Sequence, residues 1–230
     1  LPLLWDTESA KIAMPNVRMP KKKYRYPEDA IKQIRMALDY FEKLFGYRPL
    51  GMWPSEGSVS EDVVKAIHAE GIKWIATDEE ILARSLQRQL RSPDGYLMDA
   101  RILYKPYQFS YVSIIFRDHK LSDLIGFVYS GWKSEEAVGD FIGRIVQIRN
   151  TLPKDRAYLV SIILDGENCW EYYKNDGHDF LRALYQALSN DSRFKTVTVS
   201  EFLREYGLGE SLSRLHAGSW INANFSIWIG

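Results

Sequence analysis

The sequence of 230 residues holds a single cysteine, Cys169, and no surplus of either charge, since Lys+Arg and Asp+Glu number 30 each. One cysteine excludes an intrachain disulfide framework. A net charge of zero leaves no electrostatic footprint for nucleic acid or for an anionic membrane surface, so neither partner is expected. No run approaches the roughly 20 consecutive apolar residues of a spanning helix. The four histidines, His68, His119, His178 and His216, stand at no metal-ligand spacing, and H-E-x-x-H is missing, so no metal or other cofactor is expected. G-x-x-x-x-G-K-[ST] is also missing, which removes phosphate-loop chemistry. The opening LPLLWDTESA carries no secretory signal and favours a cytoplasmic setting. It starts on Leu and reads as the interior of a longer protein.

The apolar share of 46% is enough to bury a sizeable core in one domain, and an aromatic share of 13% supplies flat rings on which a ligand could stack. In 27–45 (PEDAIKQIRMALDYFEKLF), Ile31, Ile34, Leu38, Phe41 and Phe45 fall at helical spacing, with Pro and two acids in the first turn and Gly46 beyond the last. Ser58 and Glu61 read as a capping box opening a helix that Gly71 closes. Further helices are expected from Asp78 to about Leu90, for about sixteen residues from a Ser134 cap, over 180–188, and from Ser200-Glu201 onward. SPDGY at 92–96 reads as a turn. Strands are expected at 50–53, 72–76, 111–116, 157–164 and 195–199, with AYLVSIIL at 157–164 apolar enough to be buried on both faces. Alternating strands and helices predict a parallel α/β sheet, either a barrel or an open doubly wound sheet.

In such folds the chemistry sits at the carboxyl ends of the strands. Glu56, Asp78, Asp118 and Asp165 each follow an expected strand. Glu56 stands in a turn between Pro54-Ser55 and Gly57-Ser58, where the backbone is restricted. Asp165 opens DGENCWEYY after the most apolar strand. Asp78 reads more simply as a helix cap, His68 as a helix-face residue and Cys169 as a packed side chain. Two carboxylates flanked by Trp53 and by Trp170, Tyr172 and Tyr173 suit hydrolysis of a glycosidic bond, which needs a proton donor, a second carboxyl at the oxocarbenium-like centre and apolar faces for a sugar ring. The pattern alone does not say which acid does what.

GMWPSEGSVSE at 51–61 and LDGENCWEYY at 164–173 resemble the third and fourth conserved regions of glycoside hydrolase family 57, the α-glucan-active α-amylases, amylopullulanases, branching enzymes and 4-α-glucanotransferases. GSWINANFSIWIG at 218–230 is similar to the start of the fifth region, and LPLLWDTESA to the segment after the second. GMWPSEGSVS and SWIN…IWIG are closer to the α-amylase and amylopullulanase-like branch. The resemblance implies part of an incomplete (β/α)7 barrel, with 1–230 a single catalytic-domain segment lacking the strand that carries the first region. It implies retaining hydrolysis of α-glucosidic bonds in starch, glycogen or pullulan, with Glu56 as nucleophile and Asp165 as general acid/base. Trp53, Trp170, Trp220 and Trp228 become candidate sugar platforms. Glu167 is a candidate for orienting substrate hydroxyls, and Arg117, Asp118 and His119 for contacting substrate. Nothing in the sequence sets the oligomeric state. A glucanotransferase or branching enzyme would use the same carboxylates. An inactive carbohydrate-binding relative would need neither.

Overall fold

The computed structural model describes residues 1–166 and 169–229. Glu167 lies outside the described residues. Five strands form one sheet in the order β1-β2-β4-β3-β5: β1 (Gly51–Met52), β2 (Trp74–Asp78), β3 (Tyr107–Phe109), β4 (Val112–Arg117) and β5 (Glu210–Ser211). β1, β2 and β4 run parallel, with Gly51 opposite Trp74 and Asp78 opposite Arg117. β3 pairs antiparallel with β4 through a connection of two residues, Ser110 and Tyr111, both at positive φ. Among the described residues, the sheet does not close into a barrel.

β4 is buried along its whole length, and Ile75, Ile114 and Phe116 meet Val63, Val64 and Ile67 of the Glu61–Ala69 helix in the largest core. Each such side chain contributes about 1.5–3 kcal/mol by leaving water. The Pro27–Phe45 helix has the bounds its periodicity predicts and ends on Gly46 in the left-handed region, at φ 79°. Ile34 and Leu38 are buried while Phe45 is exposed, so only the middle of its apolar face packs. A second core gathers Leu121, Ile125, Tyr129, Phe141, Tyr173 and Phe180 between the Ser134–Thr151 and His178–Asn190 helices.

Several expectations need correction. The 157–164 segment forms no strand and is only half-buried. Leu159 N donates to Tyr104 O (2.9 Å) and Asp118 N to Ser161 O (3.0 Å), while Ile163 N goes to the Ser122 hydroxyl (3.2 Å). Its bonds are divided among separate partners, so no ladder forms. Residues 195–198 are also irregular and mostly exposed, and Thr198 serves instead as the capping-box residue of the Val199–Tyr206 helix. The capping box expected at Ser58 and Glu61 does not form. Ser58 Oγ donates to Ser55 O (2.7 Å), Glu61 accepts from Leu215 N (3.1 Å), and Ser60 occupies the cap position. The helix after Asp78 stops at Leu86 because Gln87 turns left-handed, at φ 54°. Lys133, not Ser134, precedes the Ser134–Thr151 helix.

Candidate functional site

Glu56 leaves the end of β1 in a single turn of 3-10 helix, Ser55–Gly57, with φ 59° and ψ 28°. A non-glycine residue in this left-handed region costs of order 1–3 kcal/mol, so the surroundings must impose it. Pro54 fixes the approach, and Thr77 Oγ1 donates to Gly57 O (2.6 Å) from β2. Gly57, also left-handed at φ 53°, is held against the Trp53 indole and the Trp220 side-chain stem: a Cβ there would lie 2.7 Å from Trp53 Cη2 and 3.1 Å from Trp220 Cβ. The turn is clamped on both sides and the glutamate side chain is presented to solvent. Trp220 Nε1 donates to Glu56 Oε2 at 3.0 Å, and Trp220 N donates to Glu56 O at 3.1 Å.

At the neighbouring strand ends the acids are buried. Asp78, fully buried, caps the Glu79–Leu86 helix through Glu80 N (3.0 Å) and accepts from Arg117 Nη1 (3.2 Å). Asp118, 1% exposed, accepts from Leu121 N (2.8 Å), Arg91 Nη2 (3.0 Å) and the Tyr104 hydroxyl. Arg91 also forks onto Glu79. Burial pushes the Glu79 carboxyl up, against the opposing pull of Arg91. Burial and the Asp118 charge raise the Tyr104 phenol. Burial is the largest single influence on Arg91 and works to lower its pKa, and the hydrogen bond and charge of Glu79 together with the Asp118 charge more than offset it, so the guanidinium pKa is raised.

His119 Nε2 lies 2.8 Å from Asp123, and Nδ1 lies 3.4 Å from Asp78, an ion-pair separation without hydrogen-bond alignment. The Asp123 hydrogen bond and then Asp78 lift its pKa to about 10. The Asp123 carboxyl, raised by burial, is brought below its ordinary value by His119 and Arg117.

Arg117 joins these groups to the turn. It is 3% exposed, pairs with Asp78 and Asp123, donates from Nε to Ile163 O (2.9 Å), and sets its guanidinium 5.2 Å from the centre of the Trp220 ring. Ile163 is two residues before Asp165, which is half-buried. Trp53 meets Trp220 edge-on, with ring centres 5.4 Å apart. Trp170 packs on Tyr173 (5.5 Å) and Phe180 (6.5 Å) as part of the second core, and Cys169 is buried beside it. His68 stacks on Tyr111 at 5.7 Å. Trp228 is 41% exposed.

The structure therefore brings Glu56, Trp53 and Trp220 together and joins Asp118 and His119 to a buried network beside them. A cavity of about 700 Å³ lined by Tyr96, Tyr104, Asp118, Lys120 and Arg144 is bounded by neither Glu56 nor Asp165. Arg91, Tyr104 and Glu79 escaped the sequence reading because nothing in their local pattern signals a three-way pairing across loops. Among the described residues, no cluster of three His, Cys, Asp or Glu is arranged to hold a metal, and no helix is long and apolar enough to cross a membrane.

The mostly parallel sheet and its packed helices are shared with solved structures. The α-amylase AmyC from Thermotoga maritima aligns at 17% identity and a TM-score of 0.70, over 88% of this chain and 49% of that one. The GH57-type branching enzyme from Pyrococcus horikoshii aligns at 17% identity and 0.69, over 88% and 47%. The 4-α-glucanotransferase from Thermococcus litoralis aligns at 20% identity and 0.63, over 84% and 28%. The sequence profile of glycosyl hydrolase family 57 matches residues 1–211, and the chain belongs to that family. It spans 28% to 49% of the length of these solved relatives. No curated protein matches the chain. The family fold is an incomplete (β/α)7 barrel, and the five strands seen here are a part of it.

Proposed function

We propose that this chain carries the catalytic carboxylates of a retaining enzyme acting on α-glucosidic bonds in α-glucans. Glu56 is the nucleophile that forms a covalent glycosyl intermediate. Asp165 protonates the leaving oxygen and then deprotonates the incoming water. The observation that carries this reading is the Glu56 turn: an exposed carboxylate in a strained backbone conformation at a strand end, with one oxygen held by an indole N–H. A nucleophile must be aimed at the anomeric carbon before the substrate arrives, and a clamped turn does this without reorganisation during the reaction. Asp165 follows a segment tied through Ser161 and Ile163 to the end of β4, which supports its facing the same cleft. Retention requires carboxyl groups about 5–5.5 Å apart; roughly 6.5–9.5 Å would accommodate a water and invert. Trp53 is the side chain best placed to meet a sugar beside Glu56.

The relatives include a glucanotransferase and a branching enzyme, and transfer to an acceptor sugar would use the same two carboxylates. Product analysis of the full-length protein on soluble starch, pullulan and maltooligosaccharides separates the outcomes. Reducing sugar with the α-anomer formed first supports retaining hydrolysis. Redistributed chain lengths without net reducing ends support transfer, and β-anomer formed first would overturn the assignment of Glu56.

A further inference from the structure

We propose that Trp220 is the positioning residue of Glu56, braced from behind by Arg117, and not a platform for sugar. The inference rests on the nucleophile reading of Glu56 and deepens it. Two bonds join Trp220 to Glu56 alone: the indole N–H to Oε2 at 3.0 Å and the backbone N–H to the carbonyl at 3.1 Å. The first acts on the reacting group and the second holds the indole's own backbone in register with the turn. Fixing one carboxylate oxygen fixes the direction of the other.

The surroundings of the indole explain why it can hold a charged partner in place. Its edge contact with Trp53 (79° between planes) limits its tilt, and the close approach of Gly57 to Trp220 Cβ limits where the side chain can start. Near its face stands the buried Arg117 guanidinium at 5.2 Å, a cation–π arrangement. Arg117 is itself fixed by Asp78, Asp123 and Ile163 O. One face of the ring that a sugar could use is taken by a cation. Because Arg117 also bonds the backbone two residues before Asp165, the same brace ties the nucleophile's turn to the segment leading to the acid/base.

The two roles predict opposite results when the N–H is removed and the ring is kept. In the full-length protein, Trp220→Phe is expected to lose about 10- to 100-fold in kcat on maltooligosaccharides, the scale of a lost hydrogen bond to a charged group, with KM within about twofold. The rate at which a fluorinated α-glucosyl fluoride labels Glu56, read by mass spectrometry of the peptide, falls in proportion. Trp220→Ala loses no less. If Trp220→Phe keeps the parent kcat and labelling rate while Trp220→Ala raises only KM, Trp220 is a platform and the proposal is overturned. Should either variant fail to fold, replacement of Trp220 by 3-benzothienylalanine, which keeps the ring outline and puts sulfur in place of N–H, reads the same two quantities. Glu56→Gln separates this failure from that of the underlying reading: an inactive, unlabelled Glu56→Gln beside a fully active Trp220→Phe sinks the positioning role alone, and an active Glu56→Gln sinks both.

Discussion

The end of β1 and the ends of β2 and β4 bear acids in equivalent places and treat them in opposite ways. Asp78 and Asp118 are buried, cap helices through backbone N–H groups and pair with Arg117 and Arg91. Glu56 is exposed, sits on a left-handed backbone and is held through an indole. A carboxylate paired with guanidinium groups has its charge taken up by them, and removing it leaves a buried cation behind. A carboxylate clamped through its backbone keeps its charge available. Position at a strand end thus marks candidates, and burial with partners separates Asp78 and Asp118 from the exposed Glu56.

The sharpest break in this comparison is between activity and stability. Glu56→Gln and Asp165→Asn are expected to lower kcat of the full-length protein by about 10³ or more while the thermal midpoint stays close to the parent's, measured by initial rates beside differential scanning calorimetry. Near-normal turnover in either would undo the assignment. Asp118→Ala should do the reverse in stability. It strips Arg91 and Tyr104 of a shared buried acceptor, at a cost of roughly 3 kcal/mol or more, hence a midpoint lower by about 6–12 °C.

His119 offers a finer test, since its pKa of about 10 exceeds the ordinary 6.5. A raised folded-state pKa gives stability that is complete below about pH 6.5 and is lost as pH rises toward about 10. Facing it are Asp78 and Asp123, with Glu79 accepting its backbone N–H and Arg117 beside them. The His119 side chain is 42% exposed, so solvent screening reduces the gain. Urea midpoints should decline across that window, and His119→Gln should flatten the slope; an unchanged slope would show that the ion pairs contribute nothing in solution. His216 gives the smallest effect and the opposite sign. Burial lowers its pKa, and its Nε2 meets Ala223 O at 3.1 Å. Stability linked to it is present above about pH 6.5 and declines below, a slope that His216→Gln should reduce when urea midpoints at pH 5 and 7 are compared.

The parts of this arrangement legible in the sequence were those set by local chemistry. Pro27 and Gly46 bounded a helix, alternating apolar runs placed β1, β2 and β4 within two residues, and Pro and Gly around Glu56 announced the turn. Asp78 proved to be the helix cap it resembled. What escaped reading depends on distant partners. AYLVSIIL at 157–164 is apolar enough for a buried strand, yet a strand exists only where a neighbour pairs with it along its length, and composition carries no record of that neighbour. The antiparallel β3 hides in PYQF, too short for a period to register. The hydrogen bond from the Trp220 N–H to Glu56 also went unread, because the sequence shows the ring and not the direction of its N–H.

The left-handed backbone at Glu56 also bears on how such a chain changes under selection. At that position glycine would relieve the steric cost and asparagine would be tolerated better than glutamate. A library screened only for heat resistance therefore has no reason to keep the carboxylate, whereas under the proposed nucleophile role one screened for turnover keeps it and recovers stability at other sites. Variants of residue 56 recovered from the two screens should diverge, and that divergence would reveal which feature the turn was shaped to preserve.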